Sequence, residues 1–214
     1  MALDAAQQAA AAGDEQARIL RSDWGGGKSP FRAHSIKLGM WFFLISDTLT
    51  FSGLLSIYGM SRFASLNWPD PDHVFHLPLV TLMTFILICS SATMAVAVGA
   101  ARDGDQNKAV RWLGWTILGG LFFLGSQAYE WTGVITEGAR LFTNPWGSPL
   151  FTASFFIITG FHGLHVTVGV IYLATVALRA MRGIYSGLGV EVAGLYWHFV
   201  DLVWVFIFTL FYLL

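Results

Sequence analysis

PLFTASFFIITGFHGLHVTVGVIYLATVAL, residues 149–178, is a continuous stretch without a single Asp, Glu, Lys or Arg. A membrane-spanning helix needs about 20 mostly apolar residues, and this stretch exceeds that length. It holds two histidines, His162 and His165, which lie one helical turn apart. The stretch therefore predicts a transmembrane helix with two imidazoles on one face, and Ser148 and Pro149 are predicted as its N-cap and first residue.

Four further stretches have the length and composition of membrane-spanning helices. Only 12% of the 214 residues are charged, whereas soluble domains carry about 25%. We therefore predict an all-α membrane protein, a bundle of five transmembrane helices. The predicted spans are residues 36–60, 77–101, 111–133, 149–178 and 191–213.

The first 35 residues differ from the rest of the chain because they are alanine-rich, charged and then glycine-rich. They lack a basic segment followed by an apolar run, so they do not predict a cleaved signal peptide. We interpret residues 1–35 as a partly flexible N-terminal tail, with a short helix near Asp14–Leu20 and a linker at Gly25–Gly27. Residues 36–214 form the membrane domain.

Lysine and arginine are distributed unequally between the two sides of the predicted bundle. Such residues accumulate in cytoplasmic segments, which sets the orientation of a membrane protein. The pattern predicts a cytoplasmic N-terminus and a C-terminus outside. One side holds ten basic residues, Arg18, Arg21, Lys28, Arg32, Lys37, Arg102, Lys108, Arg111, Arg179 and Arg182, and the other holds Arg62 and Arg140.

The composition excludes several classes of function. A net charge of −1 does not predict a nucleic-acid partner. The single cysteine, Cys89, excludes internal disulfides and cysteine-based metal clusters. No nucleotide-binding loop or nucleophile elbow is present.

Polar side chains within the predicted spans are the candidate functional residues, since each is costly in hydrocarbon and should face a partner or a cavity. A rise of about 1.5 Å per residue places five of them at similar depth and Glu130 near the outer surface. We expect Glu130 to form a separate site with Gln127. The full set is Asp47, Gln127, Glu130, His162, His165, His198 and Asp201.

The spacing leaves the role of these residues open. A carboxylate on one helix could orient an imidazole on another, which would carry a proton or hold the helices in register. Alternatively, His162, His165 and His198 could bind haem or copper in a small membrane cytochrome, or Asp47 and Asp201 could serve an independent proton carrier. A surface metal site at His73 and His76 with Asp70 and Asp72 competes with a solvated loop.

Small residues favour helix packing over metal binding. Gly160 and Gly163 flank His162, which suits a close approach of helices. The same role is predicted for the glycines at positions 114, 119, 120 and 125.

Four motifs resemble subunit III of the haem–copper terminal oxidases. They are GMWFFLISDTLTF at 39–51, GSQAYEW at 125–131, TGFHGLHV at 159–166 and YWHFVDLVW at 196–204. The motifs lie in order on four of the five predicted spans, so the resemblance covers about residues 36–214. It assigns helix packing to Trp197 and Trp204 within the last motif.

The resemblance implies an accessory subunit in a bacterial inner membrane that is not catalytic by itself. Haem and copper are expected in the partner subunit I, together with subunit II and other respiratory subunits, and none in this chain. The expected role is to stabilise subunit I and support its proton uptake while oxygen is reduced to water and protons are pumped. Bound phospholipid is expected in a cleft between helices. A quinol oxidase or nitric-oxide reductase remains an alternative, because the electron donor is set by other subunits.

Two departures from the family pattern affect these expectations. The family commonly has Glu where this chain has Asp47, so a role that needs the longer side chain is in question. Larger members have seven helices, and the first two are lacking here. We therefore expect a lipid cleft that is shallower or completed by another subunit.

Overall fold

A computed structural model describes residues 34–184 and 186–214, with the side chain of Asp72 excluded. The predicted helix and linker of the tail lie outside these residues. Backbone contacts divide the chain after Phe43. Of the first part the structure describes residues 34–43, which include the start of the first helix. The second part, Leu44–Leu214, contains the bundle.

Five helices in the described residues are long and apolar enough to cross a membrane, which confirms the predicted fold. A one-turn helix at Pro71–Val74 separates the first two, and the last continues as a π-helix at Phe208–Leu213. We number the long helices α1 Ser35–Ala64, α2 Leu77–Arg102, α3 Gln106–Thr136, α4 Pro149–Met181 and α5 Gly187–Ile207.

The helices α3 and α5 begin several residues before their predicted spans, because their polar capping residues lie outside the apolar runs. The side chains of Asp105, Ser148 and Ser186 accept hydrogen bonds from backbone N–H groups in the first turns of α3, α4 and α5. A cap of this kind satisfies a donor that has no partner within the helix. The predicted start of α4 at Ser148 and Pro149 is confirmed.

The helices α2 to α5 pack as a closed ring in which α2 contacts α3 and α5, and α4 contacts α3 and α5. From Leu44 onward, α1 reaches the ring through Asp47 and Phe51, whose side chains contact α4. Large apolar side chains cover the outer faces, such as Leu164 on α4, which is 58% exposed. A surface of this kind suits contact with lipid.

Two tryptophans of α5 fill the centre of the ring. Both Trp197 and Trp204 are fully buried. A Cβ added at Gly120 of α3 would lie 2.6 Å from Trp197, and one at Gly169 of α4 would lie 3.0 Å from it. The indole of Trp197 therefore occupies space that these two glycines leave open.

The predicted packing role of the glycines in α3 holds for only part of the set. Gly119 lies against Ser90 of α2, where an added Cβ would be 2.7 Å from the Ser90 Cβ. An added Cβ at Gly114 or Gly125 would meet nothing within 4 Å, so the prediction is wrong for these two. Spacing in the sequence could not distinguish the face of α3 that meets its neighbours from the face that points outward.

Gly120→Ala is expected to lower the free energy of unfolding by about 1–3 kcal/mol, because the new methyl group overlaps Trp197 and Val170. Gly125→Ala is the matched control on the same helix. It should be neutral or stabilising by up to about 1 kcal/mol, since alanine favours helix more than glycine does. Unfolding of both variants in mixed micelles measures the difference, and equal stability of the two would contradict this account of packing.

Candidate functional site

Asp47 of α1 and His165 of α4 form a polar contact between two helices. The His165 Nε2 lies 3.3 Å from the Asp47 Oδ2, and both side chains are nearly buried. The distance is that of an ion pair rather than of an aligned hydrogen bond. The structure thus brings together two residues that the sequence predicts at similar depth.

The backbone around His165 determines which ring nitrogen carries a proton when the imidazole is neutral. The His165 Nδ1 is 2.8 Å from the Phe161 carbonyl oxygen. Because a carbonyl only accepts hydrogen bonds, Nδ1 must carry a proton. The other nitrogen, Nε2, faces the Asp47 carboxyl group and carries a proton when the imidazole is charged. In that state the pair has no net charge, which lowers the cost of burying it.

His162 has surroundings of another kind. Its imidazole is fully buried, and neither ring nitrogen makes a hydrogen bond. The rings of Phe123 and Trp204 lie 5.5 and 5.0 Å from it between centroids, and that of Phe51 lies 6.4 Å away. The expectation that this histidine pairs with a carboxylate is therefore wrong, because aromatic side chains from three helices occupy the positions around it.

His198 and Asp201 lie on a different side of α5, towards α2. The His198 Nδ1 is 2.6 Å from the Ser91 hydroxyl. Asp201 lies beside the same hydroxyl, but neither carboxylate oxygen makes a hydrogen bond. The predicted layer of five residues is thus divided into three parts: Asp47 with His165, His162 among aromatic rings, and His198 with Asp201 beside Ser91.

Glu130 of α3 forms a buried contact with the π-helix. The Tyr212 hydroxyl donates to Glu130 Oε2 at 3.0 Å, and both side chains are buried. The other carboxyl oxygen, Oε1, has no hydrogen-bond partner. A buried carboxyl group from one helix and a phenol from the chain's last turn therefore hold these elements together.

Gln127, the expected companion of Glu130, bonds elsewhere. Its Nε2 donates to the Thr159 carbonyl oxygen of α4 at 2.7 Å, and the Trp131 indole donates to the Thr159 hydroxyl at 3.1 Å. Close approach is possible because α4 has glycines here. An added Cβ at Gly163 would lie 3.0 Å from Gln127, and one at Gly160 would lie 3.0 Å from Trp131.

The two packed tryptophans also bond α5 to α2. The Trp197 Nε1 donates to the Ser90 hydroxyl at 3.1 Å, and the Trp204 Nε1 donates to the Thr84 hydroxyl at 2.8 Å. Each indole N–H is thereby satisfied inside the bundle, where an unpaired donor would be costly.

The sequence-based set omits the hydroxyl partners Ser91, Tyr196 and Tyr212. The Tyr196 hydroxyl donates to the His165 carbonyl oxygen at 3.0 Å, so it supports the same turn of α4 that carries the ion pair. Tyrosines within an apolar span could have been recognised as polar groups that need partners. Ser91 offers no such signal, because serines in spans commonly bond to their own helix.

Tyr212→Phe is expected to lower the free energy of unfolding by about 1–3 kcal/mol, because it leaves the buried Glu130 carboxyl group without its donor. Tyr129→Phe is the matched control, since Tyr129 is exposed. The Tyr212 effect should vanish in a Glu130→Leu background. An undiminished loss there would show that the Tyr212 hydroxyl stabilises the fold through another contact.

The histidines do not converge on one point. Among the described residues, no three His, Cys, Asp or Glu side chains are grouped in a way that could hold a metal ion. Nor do His73, His76 and Asp70, which the sequence allows as part of a surface metal site, form such a group among the described residues, which exclude the Asp72 side chain. Each histidine of the spans instead has contacts of its own, with Asp47, with aromatic rings or with Ser91.

Comparison with known proteins identifies the arrangement. The family described as Cytochrome c oxidase subunit III matches residues 18–214. This chain belongs to that family. The match includes all five membrane-spanning helices and confirms the resemblance found in the sequence.

Individual relatives support the same assignment. The chain is 36% identical over 180 residues to cytochrome c oxidase subunit 3 of Bacillus sp. (strain PS3), which covers 83% of this chain and 84% of the relative. It is 38% identical over 181 residues to the cytochrome c oxidase subunit 3 of Thermostichus vulcanus, and the match covers 83% of this chain and 86% of that relative. It is also 35% identical over 180 residues to quinol oxidase subunit 3 of Bacillus subtilis (strain 168). That match covers 83% of this chain and 86% of the relative.

Proposed function

We propose that the chain is the accessory third subunit of a proton-translocating haem–copper oxidase of the cytochrome c oxidase type. The observation that carries the proposal is the family match along residues 18–214, which includes every element of the bundle. In this role the chain binds subunit I, the haem- and copper-bearing subunit, stabilises it and supports its uptake of protons. Subunit II and further respiratory subunits complete the assembly.

The geometry of the histidines favours this role over a small membrane cytochrome. A ligand to haem needs an imidazole nitrogen that points into a space between facing helices. The His165 nitrogens face Asp47 and a backbone carbonyl, and the His198 Nδ1 faces Ser91. These contacts are those of residues that hold helices together.

A quinol oxidase is the second candidate, because a relative of nearly the same similarity is a quinol oxidase subunit 3. The electron donor is bound by other subunits, so both assignments give this chain the same task. Its location in either case is the cytoplasmic membrane of a bacterium, and the distribution of lysine and arginine favours a cytoplasmic N-terminus.

A cleft between α1 and α5 supports the proposal of bound phospholipid. It has a volume of about 370 Å³ and is lined mainly by apolar side chains, among them Phe51, Leu55, Phe199 and Phe206. Such a lining suits an acyl chain, since it offers dispersion contacts and little polar surface.

The proposed function is tested by purifying the tagged chain from its native membrane in mild detergent. We expect a large haem-bearing subunit to copurify in equal amount and to give a reduced-minus-oxidised haem spectrum. Oxygen consumption with reduced cytochrome c or with quinol then identifies the donor. Stoichiometric haem or copper in the chain purified alone would overturn the proposal in favour of a membrane cytochrome. Steady proton flux through vesicles that contain only this chain would favour an independent carrier.

A further inference from the structure

The outward nitrogen of His198 is a polar group at the surface of the bundle for which the described residues offer no hydrogen-bond partner. Its Nδ1 bonds to Ser91, but Nε2 has no hydrogen-bond partner there and is not enclosed by the chain. His198 lies midway along the span Gly187–Leu213, and Ser91 lies midway along α2. The imidazole is therefore presented to the outside at the depth where hydrocarbon would surround it.

Exposed hydroxyls elsewhere on the spans satisfy their hydrogen bonds differently. Thr50 and Ser56 of α1 and Thr167 and Thr175 of α4 each donate to the carbonyl four residues earlier in their own helix. A side chain bonded in this way can face lipid at little cost. A histidine cannot close both ring nitrogens onto neighbouring groups in this position, so Nε2 needs a partner from outside the chain.

We propose that the outer face of α5 around His198 is the docking surface for a transmembrane helix of the haem-bearing subunit, and that this helix presents a hydrogen-bonding side chain to His198 Nε2. The inference rests on the proposed function. Hydrocarbon offers no hydrogen bond, and lipid headgroups lie about 15 Å from the membrane centre, half the thickness of the apolar core. A protein side chain is the occupant that meets the need at this depth.

The surroundings of His198 suit a helix. Leu195 precedes it, and Leu202 and Val205 follow it, at helical spacing on the same face. Leu202 is 56% exposed and Val205 is 38% exposed. The face is thus an apolar stripe with one polar group at its centre, the pattern by which membrane helices pack through dispersion contacts and fix their register through a hydrogen bond.

The test distinguishes the hydrogen bond made by His198 Nδ1 from the one proposed for His198 Nε2. In His198→Asn the side-chain amide reaches about as far as Nδ1, so the bond to Ser91 is kept and the outward group is lost. In His198→Gln the amide reaches about as far as Nε2, so the outward group is kept. Loss of one interhelical hydrogen bond should lower the association constant about three- to thirtyfold. We expect His198→Asn to be lost from the purified complex under detergent washing, while His198→Gln is retained better.

The stability of each isolated variant provides the control for folding. His198→Asn should unfold at the wild-type temperature when purified alone, so that its loss from the complex reflects docking. Retention of His198→Asn at the wild-type level, or equal loss of both variants, would overturn the inference. Failure of the wild-type chain itself to copurify with any oxidase subunit would instead contradict the proposed function.

Photo-crosslinking identifies the occupant directly. Benzoylphenylalanine at Val205, two turns beyond His198 and outside the lining of the α1–α5 cleft, should capture the haem-bearing subunit in native membranes, as identified by mass spectrometry. The same probe at Leu164, which is 58% exposed on α4, is the matched control and should capture that subunit less. Capture at Val205 of lipid alone, or of a second copy of this chain, would overturn the proposal.

Discussion

Asp47→Leu is expected to lower the free energy of unfolding by about 3 kcal/mol, because it removes one partner of a buried ion pair. Such a loss costs about 3–5 kcal/mol when the remaining charge stays buried. His165 can release its Nε2 proton and keep its bond to the Phe161 carbonyl, which places the cost at the lower end. Unfolding of the purified chain in mixed micelles measures it.

The double variant Asp47→Leu with His165→Phe tests whether the lost stability comes from leaving His165 without its partner. Replacing both partners with apolar groups removes the need for pairing, so much of the lost stability should return. The Phe51 and Phe161 rings already lie 5.4 and 4.6 Å from the His165 ring, so a phenyl group fits among them. A double variant less stable than Asp47→Leu would contradict the assignment of the pair as the stabilising contact.

Trp204→Ala is expected to cost about 3–5 kcal/mol, which is the range for removing a large buried aromatic side chain. Trp204 is fully buried, and its ring packs against Phe123 and His162 with centroid distances of 4.6 and 5.0 Å. In a membrane these dispersion contacts, rather than the exclusion of water, hold the helices together. The cavity left by alanine removes them without replacement.

Two controls divide this effect into its parts. Trp115→Ala removes a tryptophan that is 58% exposed, so it should change stability by only about 0.5 kcal/mol. Trp204→Phe keeps the aromatic packing and removes the N–H donor to Thr84, so it should cost about 1 kcal/mol. A Trp115→Ala loss as large as that of Trp204→Ala would show that burial in the bundle is not the cause.

Arg62 is one of two basic residues, with Arg140, on the side of the bundle that has few lysines and arginines. The sequence alone suggests an exposed residue whose substitution has little effect. Its guanidinium instead donates to the Tyr58 hydroxyl at 3.3 Å and to the carbonyl oxygen of Leu214. Because Arg62 joins α1 to the last turn of the chain, its substitution should disturb the fold.

Most of the candidate polar residues were identified from the sequence, but their partners were not. Hydropathy locates Asp47, Glu130 and His162 inside spans, since a charged or imidazole group interrupts an apolar run visibly. Depth along a helix follows from the constant rise per residue. Partners depend on the rotation of each helix about its axis, and a depth estimate contains no information about rotation. As a consequence of that rotation, His165 of α4 contacts Asp47 of α1, whereas His198 of α5 contacts Ser91 of α2.

The sequence by itself determined the number of spans, the capped start of α4 and the family, because these depend on apolar length, local hydrogen bonding and linear motifs. Only the tertiary structure decided that His162 lies among aromatic rings, that Glu130 meets Tyr212, and that Gly120 and not Gly125 meets a tryptophan. These outcomes follow from which face of each helix turns inward. That choice is made by side chains of several helices together, so no single stretch of sequence contains it.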